Sequence, residues 1–147
     1  MRPYGQKERI AMDKMGCMNS FTKVASGHYI DIINPDPEMI DIESIAAALS
    51  KTCRFGGHVP KFYSVAEHCV LASRLAEEDG LDSEEVLAVL LHDASEAYVG
   101  DMVKPLKNCM PEFMQVEQAM EEAIGTRFGI HFQRHKETIK KYDYIML

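Results

Sequence analysis

The stretch LHDASEAYVGD, Leu91 to Asp101, sets a histidine and an aspartate side by side directly after a run of aliphatic residues. Upstream, Asp82 with Glu85 forms a capping-box pattern, a helix start signal, and Val86, Val89 and Leu90 follow at the spacing of an apolar helical stripe. The spacing predicts a helix from Asp82 through the quoted stretch to about Tyr98. The next positions on its stripe are Asp93, Glu96 and Ala97. His92 lies about 100° round from Asp93, so the two side chains can converge on one ion between them.

Two other segments share this anomaly. Ser64 with Glu67 opens a helix that Gly80 can close, and its stripe of Val65, Cys69 and Ala72 passes through His68. A last helix begins near Lys136 and carries Ile139, Tyr142 and Met146, with Asp143 between the outer two. Burying an ionisable group costs several kcal/mol unless it is paired or bound to a metal. Taken singly, His68 and Asp143 are ordinary as satisfied core polar residues or helix-edge positions. The adjacent pair is harder to place, since two neighbouring polar residues in mid-helix seldom both find ordinary partners. Two imidazoles and two carboxylates together suit one divalent cation, with Mn, Co, Fe, Zn, Ni or Mg all open. Periodicity alone does not show that the three segments meet.

Around them the chain reads as helical. Phe21–Val24 and Tyr29–Ile33 flank Ala25-Ser26-Gly27 as a small hairpin, and Asn34-Pro35-Asp36-Pro37 breaks the chain. Ile42, Ile45, Ala46 and Leu49 predict a first helix to about Cys53, and Arg54 to Pro60 is a loop. A further helix runs from Pro111 to about Gly129, with Phe113, Val116, Met120, Ala123, Ile124 and Phe128 inward. The fold class expected is all-α, a bundle of about five or six helices with a short N-terminal hairpin. Residues 1–19 are polar, methionine-rich and weakly periodic. They read as a loose leader, with Met18 an alternative start, ahead of one domain over 20–147.

The 147 residues suffice for a real core, and 16 basic against 23 acidic side chains give a net charge of −7. That balance argues against nucleic-acid binding, and any anionic substrate must find local positive charge. Cys17, Cys53, Cys69 and Cys109 show no CxxC spacing, so free thiols in a reducing cytoplasm are expected. Neither a membrane span nor a secretory signal is apparent, which points to a cytoplasmic protein.

The order His68, then His92-Asp93, then Asp143 resembles the HD-domain metal-dependent phosphohydrolases. The resemblance is carried by YSVAEH around His68, LHDASEAYVGD, KPLK, and KKYDYIML around Asp143. These are similar to the 5′-deoxynucleotidase branch and its prophage-encoded relatives, from roughly Ser26 onward and including DIESIAAALSKTCRFGGH. The resemblance implies an HD-domain bundle in which His68, His92, Asp93 and Asp143 hold one divalent metal. It implies that Glu96 assists the catalytic water or leaving group and that Asp101 lies by the substrate sugar. Arg54, 14 residues before His68, would grip the phosphate. The chain ends four residues after Asp143, where such relatives continue their last helix, so a shortened final helix and weakened metal binding are expected.

The implied reaction is release of phosphate from deoxynucleoside 5′-monophosphates, a small-molecule substrate. Lys107, within KPLK, and His58, after Gly56-Gly57, are further candidates for the phosphate pocket, although a solvated lysine and a plain loop histidine are the simpler readings. His28, His131 and His135 look superficial. Hydrolysis of another small phosphate ester or nucleotide, or metal and nucleotide binding without turnover, are the alternatives. The resemblance leaves a homodimer open.

Overall fold

The computed structural model describes residues 20–147, so the leader expected over 1–19, with Cys17 and Met18, lies outside the described residues. Strands β1 (Phe21–Lys23) and β2 (Tyr29–Asp31) form the expected antiparallel hairpin, with Thr22 opposite Ile30. Gly27 at φ +94° makes the reversal, a conformation open to glycine at no steric cost. Ile30 is thereby delivered to the core.

Helix α1 (Ile42–Leu49) starts where the Asp41 carboxylate accepts the Ser44 N–H at 2.6 Å. It buries Ile45 and Leu49 but leaves Ile42 and Ala46 exposed. It also stops short of Cys53. The Ser50 and Thr52 hydroxyls donate to the Ala47 and Ala48 carbonyls at its end, and Cys53 then forms an isolated antiparallel bridge with Ser64. Ser64 caps α2 (Val65–Glu78), and Asp82 with Glu85 completes a reciprocal capping box on α3 (Ser83–Leu90).

The helix expected to run on to Tyr98 is broken. Leu91–Ser95 form a turn with i to i+3 hydrogen bonds, and a four-residue helix α4 (Glu96–Val99) follows. The His92 ring sits at the break. Its Nδ1 lies 2.6 Å from the Val89 carbonyl, the oxygen that the Asp93 N–H would take in a continuing helix. Periodicity also passed over the short helix α5 (Lys104–Lys107). The last two long helices fall as expected, α6 over Pro111–Phe128 and α7 over Lys136–Ile145. Among the described residues there are thus seven α-helices and two short strands, a helical bundle.

Helix α2 packs chiefly on α3, and α7 lies across both, while α1 meets α4 and α4 meets α6. One core cluster includes Ile30, Ile45, Val65, Ala88, Leu91, Met120, Ile124 and Phe132. A second holds Ala72, Ala76, Val89 and Tyr142. Phe113, Val116 and Phe128 of α6 are only half-buried, whereas Met120, Ala123 and Ile124 carry its packing. Among the described residues no helix is long and apolar enough to cross a membrane.

Gly125 of α6 lies tight against the segment that follows the helix, since a Cβ there would sit 2.6 Å from the Ile130 carbonyl oxygen. Alanine gains roughly 1 kcal/mol in helix propensity, but backbone must move to admit it. Gly125→Ala is expected to destabilise the fold by a net of about 1–3 kcal/mol, read as a lowered urea midpoint with unchanged slope.

Candidate metal centre

Three segments bring four side chains together. His68 comes from the second turn of α2, His92 and Asp93 from the break after α3, and Asp143 from α7. One ligating atom from each lies within 4.8 Å of all the others, so the group could hold a metal ion. His68 Nε2 is 2.9 Å from Asp143 Oδ1 and 3.7 Å from Asp93 Oδ2. His92 Nε2 is 3.1 Å from Asp93 Oδ2 and 3.6 Å from Asp143 Oδ1. The rings meet edge to face, 5.3 Å between centroids.

The local chemistry favours a cation. The Val89 carbonyl only accepts, so His92 Nδ1 must carry its hydrogen, and this leaves the Nε2 lone pair of the neutral ring facing the cluster. His68 is fully enclosed, and neither its Nε2 nor that of His92 meets a partner in hydrogen-bonding geometry among the described residues. The nitrogens are thus near the carboxylates in distance but not aligned with them. Lone pairs grouped round a common centre produce that pattern, and a backbone carbonyl on the far ring nitrogen, as His92 has, is usual for a metal-bound histidine. These residues fit one divalent ion, and N and O donors together leave its identity open.

In the cation-free state protons and Arg54 offset the two acids. Burial opposes a charged His92, but contact with Asp143 and then Asp93 outweighs it and raises the imidazole to about 10. Contacts with His68 and His92 hold Asp143 well below the usual carboxylate range. The guanidinium of Arg54, a buried side chain, adds Nη2 at 3.9 Å from Asp143 Oδ1, and its Nη1 reaches the Met146 carbonyl at 3.5 Å.

The structure gathers most of the other expected site residues on the same side of the molecule. Burial, with Asp93 and Asp101 next in effect, pushes Glu96 up to about 9. Asp101 is raised by burial and by Asp93 and drawn back by Arg54 and Lys107. Lys107 is only half-buried and is already taken, with Nζ 2.7 Å from Glu117 Oε1. His58 is exposed, its backbone N–H on the Phe55 carbonyl. Two histidines read as superficial have structural partners: His28 on the Met39 carbonyl at 2.8 Å and His135 on Glu84 at 3.0 Å.

Other neighbours escaped the sequence reading. Phe55 and Tyr63 place their rings 4.6 and 5.4 Å from the Arg54 guanidinium carbon, and Phe55 adopts a left-handed φ of +55° to do so. Glu121 on α6 is raised by burial and then by Glu117 and Glu122, and it also senses Asp93 and His92. Glu117 and Glu121 stand one turn apart on α6, but the only sequence signal was a pair of acids in a polar stripe. A cavity of about 600 Å³ between α6 and the Ile130–Arg134 segment shares Glu121 but is lined by none of the four clustered residues.

No family model matches the chain. It is similar to an uncharacterized protein of Escherichia coli strain K12, YfdR, with 42% identity over 113 residues, 76% of this chain and 60% of the relative. It is also similar to an uncharacterized protein of Rhodobacter capsulatus, with 34% identity over 116 residues, 76% of this chain and 59% of the relative. The chain therefore spans about three-fifths of the length of these curated relatives.

Two outcomes follow from the geometry. Asp93→Ala is expected to abolish stoichiometric binding of Mn²⁺ or Co²⁺, read by equilibrium dialysis with metal analysis; full loading of this variant would rule Asp93 out as a ligand. The cation must also displace the His92 proton. A raised histidine stabilises the cation-free fold below its ordinary 6.5, and that contribution is lost as pH rises through about 10. The depressed Asp143 contributes above its ordinary 3.8 and loses that as pH falls toward its lower folded value. Metal affinity should accordingly rise about tenfold per pH unit between about pH 6 and 8, with close to one proton released per ion.

Proposed function

We propose that this chain is an HD-domain phosphohydrolase that releases phosphate from deoxynucleoside 5′-monophosphates, using one divalent metal held by His68, His92, Asp93 and Asp143. The carrying observation is the convergence of four donor atoms from three segments, with a half-buried carboxyl, Glu96, that senses Asp93 and is pushed up to about 9. A site that merely stores a cation has no use for that carboxyl. When bound, a divalent ion supplies Lewis acidity, lowering the pKa of water from about 15.7 to near 7 in favourable cases.

The chain's own residues provide the rest. Arg54 presents a planar fork of donors, held between two aromatic rings, that suits two phosphate oxygens. Water attacks phosphorus, an O–P bond forms and the P–O5′ bond breaks. The departing alkoxide is a poor leaving group and needs a proton. Glu96 carries one at neutral pH and delivers it to the 5′-oxygen, and the attacking water's proton returns the carboxyl to its starting state. Asp101, on the loop after α4, would accept a hydrogen bond from a sugar hydroxyl. Lys107, neutralised by Glu117, is assigned to supporting charge around Glu96 rather than to direct phosphate contact.

A panel of deoxy- and ribonucleotides, incubated with protein loaded with Mn²⁺ or Co²⁺, tests the reading through released phosphate. Turnover selective for deoxynucleoside monophosphates is expected. Glu96→Ala should lower it by about 100-fold or more while metal content stays unchanged. Nucleotide binding without turnover under every metal would sink the assignment in favour of a binding protein, and turnover confined to other phosphate esters would replace the substrate.

A further inference from the structure

Asp143 is a half-exposed side chain on a ten-residue helix, yet its carboxylate stands 2.9 Å from His68 Nε2 and 3.6 Å from His92 Nε2. Its neighbour Tyr142 is 1% exposed, with its ring in one cluster with Ala72, Ala76 and Val89. The Tyr142 hydroxyl donates to Asp79 Oδ2 at 2.7 Å, at the C-terminal cap of α2, with Lys141 Nζ also near both groups. His68, Ala72, Ala76 and Asp79 lie along one stripe of α2. Val89, the third wall of the Tyr142 pocket, is the residue whose carbonyl orients His92. One side chain therefore touches the helix of the first histidine, the residue that aims the second, and the backbone that carries the fourth ligand.

We propose that Tyr142 is a positioning residue for the metal centre, its hydroxyl bond to Asp79 fixing the rotation of α7 so that Asp143 faces His68 and His92. The inference rests on the reading of those residues as metal ligands. The two alanines of α2 let the ring pack against that helix, and the hydroxyl then sets where along α2 it stops. Other ties hold α7 at its ends, His135 to Glu84 at the start and Arg54 to the Met146 carbonyl at the finish. The first acts two turns before Asp143, and Arg54, which also lies 3.9 Å from the Asp143 carboxylate, comes from outside the packing of α7 on α2 and α3.

Tyr142→Phe removes only the hydroxyl, and Asp79→Ala removes its exposed acceptor, so the second variant remains informative if the first folds poorly. In the full chain, each is expected to weaken Co²⁺ binding about 5- to 20-fold and to alter the visible Co²⁺ absorption spectrum. The double variant should be no weaker than the worse single one, and Asp79→Asn, which keeps an acceptor, should restore affinity. Glu84→Ala loosens the start of α7 and should leave Co²⁺ affinity within about twofold of the unaltered chain. Unchanged Co²⁺ affinity and spectrum in Tyr142→Phe and Asp79→Ala would overturn the proposal, as would an equal loss in Glu84→Ala, which would signify general loosening. If the unaltered chain binds no Co²⁺, the metal-ligand reading itself fails and this inference falls with it.

Discussion

His68 has no solvent-exposed surface, and the carboxylate that comes closest to it is brought by a helix 75 positions further along the chain. An enclosed imidazole facing acids has to be matched in charge and in geometry, or the segments that carry it separate. The packing around it follows from that demand. Ala72 and Ala76 on α2 and Ala88 and Ala94 around the end of α3 have no exposed surface, and their small volume lets three backbones come close enough for His68, Asp93 and Asp143 to touch. Larger side chains there would bury more apolar area and would hold the ligands apart.

Charge decides what the cluster can accept. Asp93 and Asp143 bring two negative charges, His92 in its raised state returns one positive charge, and Arg54 at 3.9 Å shares another. A divalent cation would replace that divided arrangement with a single compact body carrying both charges. Asp143 would then make less demand on Arg54, whose fork would be freed toward an incoming anion. On the proposed reaction, the residue that stabilises the empty site is therefore the one that binds substrate in the filled site. The aromatic pair of Phe55 and Tyr63 supports this double use, because ring faces hold a guanidinium laterally while leaving its edge donors free.

Much of this was legible in the sequence, and the exceptions have physical causes. The helix starts were read correctly at Ser64 and Asp82, because capping chemistry is local. The interruption of apolar stripes by His68, Asp93 and Asp143 pointed to the residues that the fold brings together. The break at Leu91–Ser95 was not legible, since a ring nitrogen takes a backbone carbonyl there, a choice invisible to periodicity. Lys107 looked available for phosphate because its partner, Glu117, lies on another helix, and only tertiary structure shows the pair. Tyr142 looked like ordinary core by spacing. Its ring is core, but its hydroxyl reaches an exposed aspartate 63 positions away.

The acidic wall around the cluster constrains the order of events on the proposed reaction. Glu96, Asp101 and Glu121 all sense Asp93 in a cluster that already contains two carboxylates, and mutual repulsion contributes to raising all three. A phosphate dianion approaching the cation-free cluster meets Asp93 and Asp143, whose charge is offset only by His92 and Arg54. At about 5 Å and an effective dielectric of about 20, each unit pair repels by about 3 kcal/mol. One buried arginine, itself engaged by Asp143, and one protonated His92 cancel those two carboxylates and leave no net positive charge for the anion. The same wall attracts a divalent cation. Binding of the cation first and the anion second is the sequence these charges permit, and the chain's net charge of −7 reinforces it at longer range.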